Sequence, residues 1–342
     1  MMNIRAKFEQ ALQDTVDEWK KQEHVEGIFV YGSYVNKAQT PDSDLDVCIV
    51  WNEEEAPVRL LSHHKGVRID MTFITPATIQ EVLNRKSKNP QQIAEVIERV
   101  KGSKVAYDKS GKLEEWRATA ENYTWPEDVV IAVKERTAAE LDRSKELLDE
   151  HRVSSICELR NALFDLARTI LMTNNNFGII RTADVVSQSR LLNPTMYKMF
   201  LRTFKLRSMN EEQIMNVLDD VKSWLQEVED RLEKSDLDTV VIPLLNRAHR
   251  HYFGALSLTI NNSYELAVLE MRHSIFMIAN ALLAMHGIQE PDSLEFITSL
   301  REKENEFYED MLLSYCEFNL QPRAISRAID ESKFVLGRLA VG

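Results

Sequence analysis

Cysteine is scarce in this 342-residue chain: Cys48, Cys157 and Cys316 are odd in number and far apart. That spacing builds neither a disulfide framework nor a Cys/His metal cluster, and a reducing, cytoplasmic location is expected. Long hydrophobic runs are missing as well. The longest, residues 274–285, falls short of the roughly 20 residues that cross a bilayer, so no membrane partner is expected. Residues 3–21 open the chain with a charged amphipathic pattern where a signal peptide would be apolar. Positive charge is in deficit, with 42 Lys and Arg against 54 Asp and Glu. The first 120 residues are near balance, 17 against 19, which leaves 25 against 35 in residues 121–342. A protein that tracks a phosphate backbone needs a basic face, so nucleic acid is a disfavoured partner. An acidic surface attracts small cationic ligands, although it also serves solubility alone.

Strand signals are confined to the first part of the chain. Residues 3–22 read as a helix, with Phe8, Leu12, Val16 and Trp19 at helical spacing. Apolar runs of strand length follow at 27–31, 44–51 and 67–74, and 104–107 has the look of an edge strand. A short helix is expected after Ser33, stopped near Thr40-Pro41; Thr75-Pro76 and Asn89-Pro90 start two more. The best domain boundary lies at 120–128. Beyond it the pattern predicts helices at about 126–150, 154–173, 193–204, 210–233, 238–260, 263–286, 291–300, 303–318 and 322–339. Glu158, Arg160, Phe164, Ala167 and Leu171 recur as Glu270, Arg272, Phe276, Ala279 and Leu283, an offset of 112 residues. The recurrence fits two related helical modules, about 126–235 and 238–342, and it also fits helical periodicity alone. Glu158, Arg160, Glu270 and Arg272 interrupt apolar helices; they read either as ion pairs between helices or as cleft residues. His249, His251 and His273 have no metal-ligand spacing.

Chemistry concentrates in three short stretches: Ile28-Phe29-Val30-Tyr31-Gly32-Ser33, Ser43-Asp44-Leu45-Asp46-Val47-Cys48-Ile49-Val50, and Val67-Arg68-Ile69-Asp70-Met71-Thr72-Phe73-Ile74. Carboxylates inside strand-length apolar runs are costly unless paired or metal-bound. Alternation puts Asp44 and Asp46 on one face. A third carboxylate, Asp70, on a neighbouring strand would complete a hard-oxygen site suited to Mg²⁺. An EF-hand counted from Asp42 is the sharpest rival, but its sixth position, which needs glycine at φ > 0, is Val47. A plain polar turn is the bland one.

Gly-Ser, a spacer of about ten residues, Asp-apolar-Asp-apolar and a later apolar-Asp-apolar together resemble the signature of the nucleotidyltransferase superfamily of DNA polymerase beta. The compact form followed by helices resembles the bacterial aminoglycoside and lincosamide nucleotidyltransferases. The resemblance covers residues 26–75 and implies an α+β fold: a small mixed-sheet catalytic domain, residues 1–120, followed by a larger all-α helical bundle, residues 121–342, that shapes the acceptor site. It implies transfer of a nucleoside monophosphate from a triphosphate such as ATP to a hydroxyl, with two Mg²⁺ ions. Asp44, Asp46 and Asp70 would be both the metal ligands and the catalytic residues, with Asp70 as ligand, as base, or as both. Gly32 and Ser33 would hold the triphosphate, helped by a cation for which Lys37, Lys134 and Arg136 are candidates. The expected partners are the triphosphate and a small, cationic acceptor such as an aminoglycoside, and a homodimer is compatible with the family's architecture. Two other readings stay open: nucleotidylation of a protein partner, and a nucleotide-binding module without turnover.

Overall fold

Alternating residues build the sheet and prolines set the starts of its helices. The computed structural model describes residues 4–37, 39, 43–57, 59–234 and 238–340. The chain divides into two compact units, Met1–Val129 and Val130–Gly342, where the sequence reading set its boundary after residue 120.

The first unit runs α1 (Ile4–Trp19), β1 (Val25–Tyr31), β2 (Asp44–Trp51), β3 (Leu60–His64), β4 (Val67–Ile74), α2 (Pro76–Leu83), α3 (Pro90–Val100), β5 (Lys104–Asp108) and α4 (Leu113–Glu121). Thr75 and Asn89 cap α2 and α3 with their side-chain oxygens, and a proline follows each at the first helical position, where its missing N–H costs nothing. The five strands lie in the order β3-β4-β2-β1-β5. β2 and β4 are parallel, and every other pair is antiparallel. Val30, Leu45, Val47, Ile49, Ile69 and Met71 share a buried cluster with Phe8, Ala11, Leu12 and Val16 of α1. Alternation sends Asp44, Asp46, Cys48 and Val50 to the opposite face. There α3 packs on β1 and α4 on β5. Leu113 fills the space above Gly27, where a Cβ would meet it at 2.3 Å.

The strands expected at 44–51 and 67–74 form over those residues. β3 was not foreseen. It makes a hairpin with β4 across Lys65-Gly66, both left-handed at φ 51° and 80°, the turn geometry that matches strand twist. The short helix expected after Ser33 does not form among the described residues. Residues 32–37 make turns bracketed by left-handed Gly32 (φ 73°) and Lys37 (φ 57°), too short a span to nucleate a helix. Val47 and Ile49 are buried in β2, so the calcium-loop reading falls; Asp42, its first position, lies outside the described residues.

Among the described residues the regular structure of the second unit is helical: α5 (Glu127–Leu147), α6 (Arg152–Thr173), α7 (Thr182–Leu192), α8 (Pro194–Thr203), α9 (Glu211–Leu232), α10 (Asp238–Ile260), α11 (Tyr264–Met285), α12 (Ser293–Lys303), α13 (Asn305–Phe307) and α14 (Pro322–Arg338). α5 begins just ahead of the division. The helix expected over 303–318 is interrupted at Glu304, and α13 widens into a π-helical stretch, Tyr308–Leu313. α7 was missed because Thr, Asp, Ser and Gln dilute its apolar stripe.

α6 and α11 are both 22 residues long and start 112 residues apart, the offset of the sequence recurrence. Their arginines do not make the expected ion pairs. Arg160 donates to the carbonyls of Cys316 (2.7 Å), Glu317 (2.9 Å) and Thr203 (3.2 Å). Arg272 donates to the carbonyl of Tyr315 (2.7 Å), to that of Phe204 and to Ser208 Oγ (3.2 Å). Two buried guanidiniums thus hold the same two chain segments. Burial, and then the neighbouring Arg272, lower the Arg160 pKa to about 10. Glu270 accepts from Thr182 Oγ1 at 3.0 Å and pairs with His251 Nδ1 at 2.6 Å. His273 is buried with its pKa lowered to about 4, chiefly by desolvation. α11 also corrects the hydropathy reading: by length and composition it could cross a membrane, but 72% of its apolar window is buried in the unit, as in a core helix.

Candidate active site

β1 runs antiparallel to β2, so the end of β1 and the start of β2 meet at one end of the sheet. Tyr31 is opposite Asp46 in that ladder. The chain then turns at Gly32, whose φ of 73° few side chains tolerate. A Cβ there would lie 2.1 Å from Asp46 Oδ2. Glycine is required twice over, by the backbone and by the approach of the carboxylate. Ser33 follows in the same turn, half-buried, and the Asn36 N–H donates to the Gly32 carbonyl at 3.3 Å.

The parallel pairing of β2 with β4 does the rest. Asp46 stands opposite Asp70 and Asp44 opposite Arg68. Residues at matching positions on neighbouring strands project from the same face. Gly32, Ser33, Asp44, Asp46 and Asp70 are therefore brought to one end of the sheet, from segments 24 to 38 residues apart in the case of Asp70 and the others.

Asp70 is 5% exposed. A carboxylate so placed needs a partner, and Arg59, just before β3, supplies one in bidentate form. Its Nε donates to Oδ1 at 2.5 Å and its Nη2 to Oδ2. The contact with Asp70 raises the Arg59 pKa, and the charge of Asp46 adds to it. Asp44 forms an ion pair with Arg68, Oδ1 to Nε 2.6 Å, with both side chains well exposed; such a pair is worth at most about 1 kcal/mol. Tyr31 Oη lies 3.3 Å from Thr72 Oγ1, and burial pushes its pKa up to about 12, so it remains a neutral phenol. Cys48, two residues along β2 from Asp46, is buried with its pKa pushed up to about 11, which leaves its thiol inert.

All the donors are carboxylate oxygens, which suits Mg²⁺ or Mn²⁺ better than Zn²⁺. Among the described residues no three His, Cys, Asp or Glu side chains are gathered as they stand into a metal-binding group. The observation that bears on fit is the charge standing against the acids: a guanidinium lies bidentate on Asp70 and within the field of Asp46. The donor set fits a divalent cation in type, and a cation on Asp70 would take the place of Arg59.

The cations suggested for the triphosphate are placed differently. Lys37 is in the turn after Ser33. Lys134 and Arg136 belong to the second unit, where Lys134 donates to the Leu339 carbonyl at 2.7 Å and Arg136 pairs with buried Asp165. The sequence reading missed Arg59, Arg68, Tyr31 and Thr72. For Arg68 and Thr72 the signal was period-two spacing around Asp70, and for Tyr31 its place directly ahead of Gly32. For Arg59, in an irregular connection, there was none.

A five-stranded mixed sheet carrying this Gly-Ser turn and these strand-borne acids defines a nucleotidyltransferase domain. Residues 9–153 match the family model described as nucleotidyltransferase domain, and this match supports a nucleotidyl-transferring enzyme. Among solved structures, the chain is similar to a nucleotidyltransferase-like protein from Exiguobacterium sibiricum 255-15, at 12% identity over 90% of this chain and 91% of that one, with a TM-score of 0.38. No curated protein matches the chain significantly.

Proposed function

We propose that the enzyme moves a nucleoside monophosphate from a nucleoside triphosphate, ATP foremost, to a hydroxyl of a small cationic acceptor of the aminoglycoside kind. The observation that carries the reading is the register of β2 on β4: it sets Asp46 beside Asp70, with the Gly32 turn against Asp46. The acceptor oxygen forms a bond to the α-phosphorus, the bond to the bridging oxygen breaks, and pyrophosphate leaves. Divalent cations, two Mg²⁺ in this reading, supply charge neutralisation at the attacking and leaving oxygens when bound. Asp44 and Asp46 would hold them; Asp70 would complete the set or take the hydroxyl proton. The Ser33 hydroxyl and the N–H groups of its turn would receive the triphosphate oxygens. The excess of acids over bases in residues 121–342, 35 against 25, supports a cationic acceptor and disfavours nucleic acid. ATP supply and the three unpaired cysteines suit a cytoplasmic enzyme.

The test is mass spectrometry after incubation with ATP, Mg²⁺ and a panel of aminoglycosides and lincosamides. A gain of one nucleoside monophosphate on a cationic drug supports the reading. A gain on a protein moves the acceptor to a macromolecule. No gain on any acceptor across the four common triphosphates overturns it.

A further inference from the structure

The contact between Arg59 and Asp70 is more than charge balance at a strand end. Asp70 is 5% exposed, while the Arg59 side chain is 38% exposed. The acid is fixed in β4, between β3 and β2. The arginine sits outside the strands, at the end of the connection from β2, with solvent on one side. Of the two partners, only Arg59 is free to leave. Its fork also feels the charge of Asp46, which is paired in register with Asp70, so a single guanidinium stands on one of the two acids that would receive a divalent cation.

We propose that Arg59 is an exchangeable counter-ion: it holds Asp70 while the site has no metal, gives the carboxylate up when metal and nucleotide arrive, and forks onto phosphate oxygens of the triphosphate. The chemistry supports both ends of the exchange. A planar guanidinium matches carboxylate and phosphate oxygens equally well in bidentate form. A buried carboxylate calls for a paired cation, so the arginine and the metal alternate on Asp70. The Gly32-Ser33 turn against Asp46 puts the expected phosphate position within the same cluster. The inference rests on the proposed function, since it takes Asp70 as a metal ligand.

Two affinities of the full-length protein test it: Mn²⁺ alone, by calorimetry and by electron paramagnetic resonance, and a non-hydrolysable ATP analogue in the presence of Mg²⁺. Arg59→Ala is expected to bind Mn²⁺ alone at least tenfold more tightly and the analogue at least tenfold more weakly. These opposite signs are the signature; a merely structural arginine would weaken both. Arg59→Lys keeps the charge and guards against misfolding of the alanine variant; it should move both affinities the same ways, by threefold or more. If Mn²⁺ affinity is unchanged or falls in both variants, the exchange is overturned. Asp70→Asn separates the two readings. Loss of Mn²⁺ binding in that variant, with no tightening in Arg59→Ala, overturns the exchange alone. Full Mn²⁺ binding by Asp70→Asn overturns the metal assignment beneath it as well.

Discussion

Two acids at the same register position of adjacent strands repel one another unless a cation lies between or beside them. Asp46→Asn keeps the size and removes one of the charges. The variant should melt in chelator no earlier than the parent, lose most of the rise in melting temperature expected from Mg²⁺ with nucleotide, and lose transfer by orders of magnitude. A near-parental transfer rate would remove Asp46 from the metal site. Ser33→Ala should weaken nucleotide binding by roughly ten- to a hundredfold, the loss of one charge-assisted hydrogen bond of about 1.5–3 kcal/mol. Unchanged affinity in calorimetry would make Ser33 a turn residue only. The acids were legible because a carboxylate inside an apolar run is anomalous on its own. Arg59 was not, because nothing periodic surrounds a residue in a connection, and its role exists only once β3 and β4 have placed it beside Asp70.

The elements whose signals are local were read closely. β2 and β4 alternate cleanly, and α2 and α3 announce themselves by cap and proline. The misses have physical causes. The β3–β4 hairpin turns on Lys65-Gly66, and Leu60 and Leu61 are exposed, so β3 lacks the buried stripe by which strands are recognised. α4 buries only Leu113, Trp116 and Ala120, too thin a stripe to stand out. The arginines of α6 and α11 were expected to find carboxylates and found carbonyls, because the segments they hold, 203–208 and 315–317, are distant in sequence. Arg160→Met should leave several buried carbonyls without donors, at a cost of about 3 kcal/mol or more in urea denaturation. Arg272→Met should cost a similar amount, and the double variant less than the sum, since both hold the 315–317 segment.

At the scale of the molecule, the two units carry different electrostatic problems. In the helical unit the problem is Glu140 on α5, half-buried, with Oε2 unpartnered. Burial, and then nearby Asp165, raise its pKa to about 8. The folded state therefore holds a proton there that the unfolded chain releases near pH 4.5. The stability tied to that proton is full below pH 4.5 and lost as pH rises through 8. Glu140→Gln should match the parent in melting temperature at pH 4 and exceed it by several degrees at pH 9. An equal margin at both pH values would show that Glu140 does not titrate in this way.

The sheet order of the first unit also dictates when a newly made chain acquires its chemistry. The β3–β4 hairpin closes across two residues, but Asp70 reaches Asp46 only when that hairpin folds back over the whole connection from β2. Pairing between distant segments is slow compared with local closure. The acids are accordingly expected to meet after the hairpin has closed. A refolding chain followed in real time should gain its hairpin first and any capacity to bind Mn²⁺ in a later phase. Competence thus waits on a pairing that the hairpin alone cannot make.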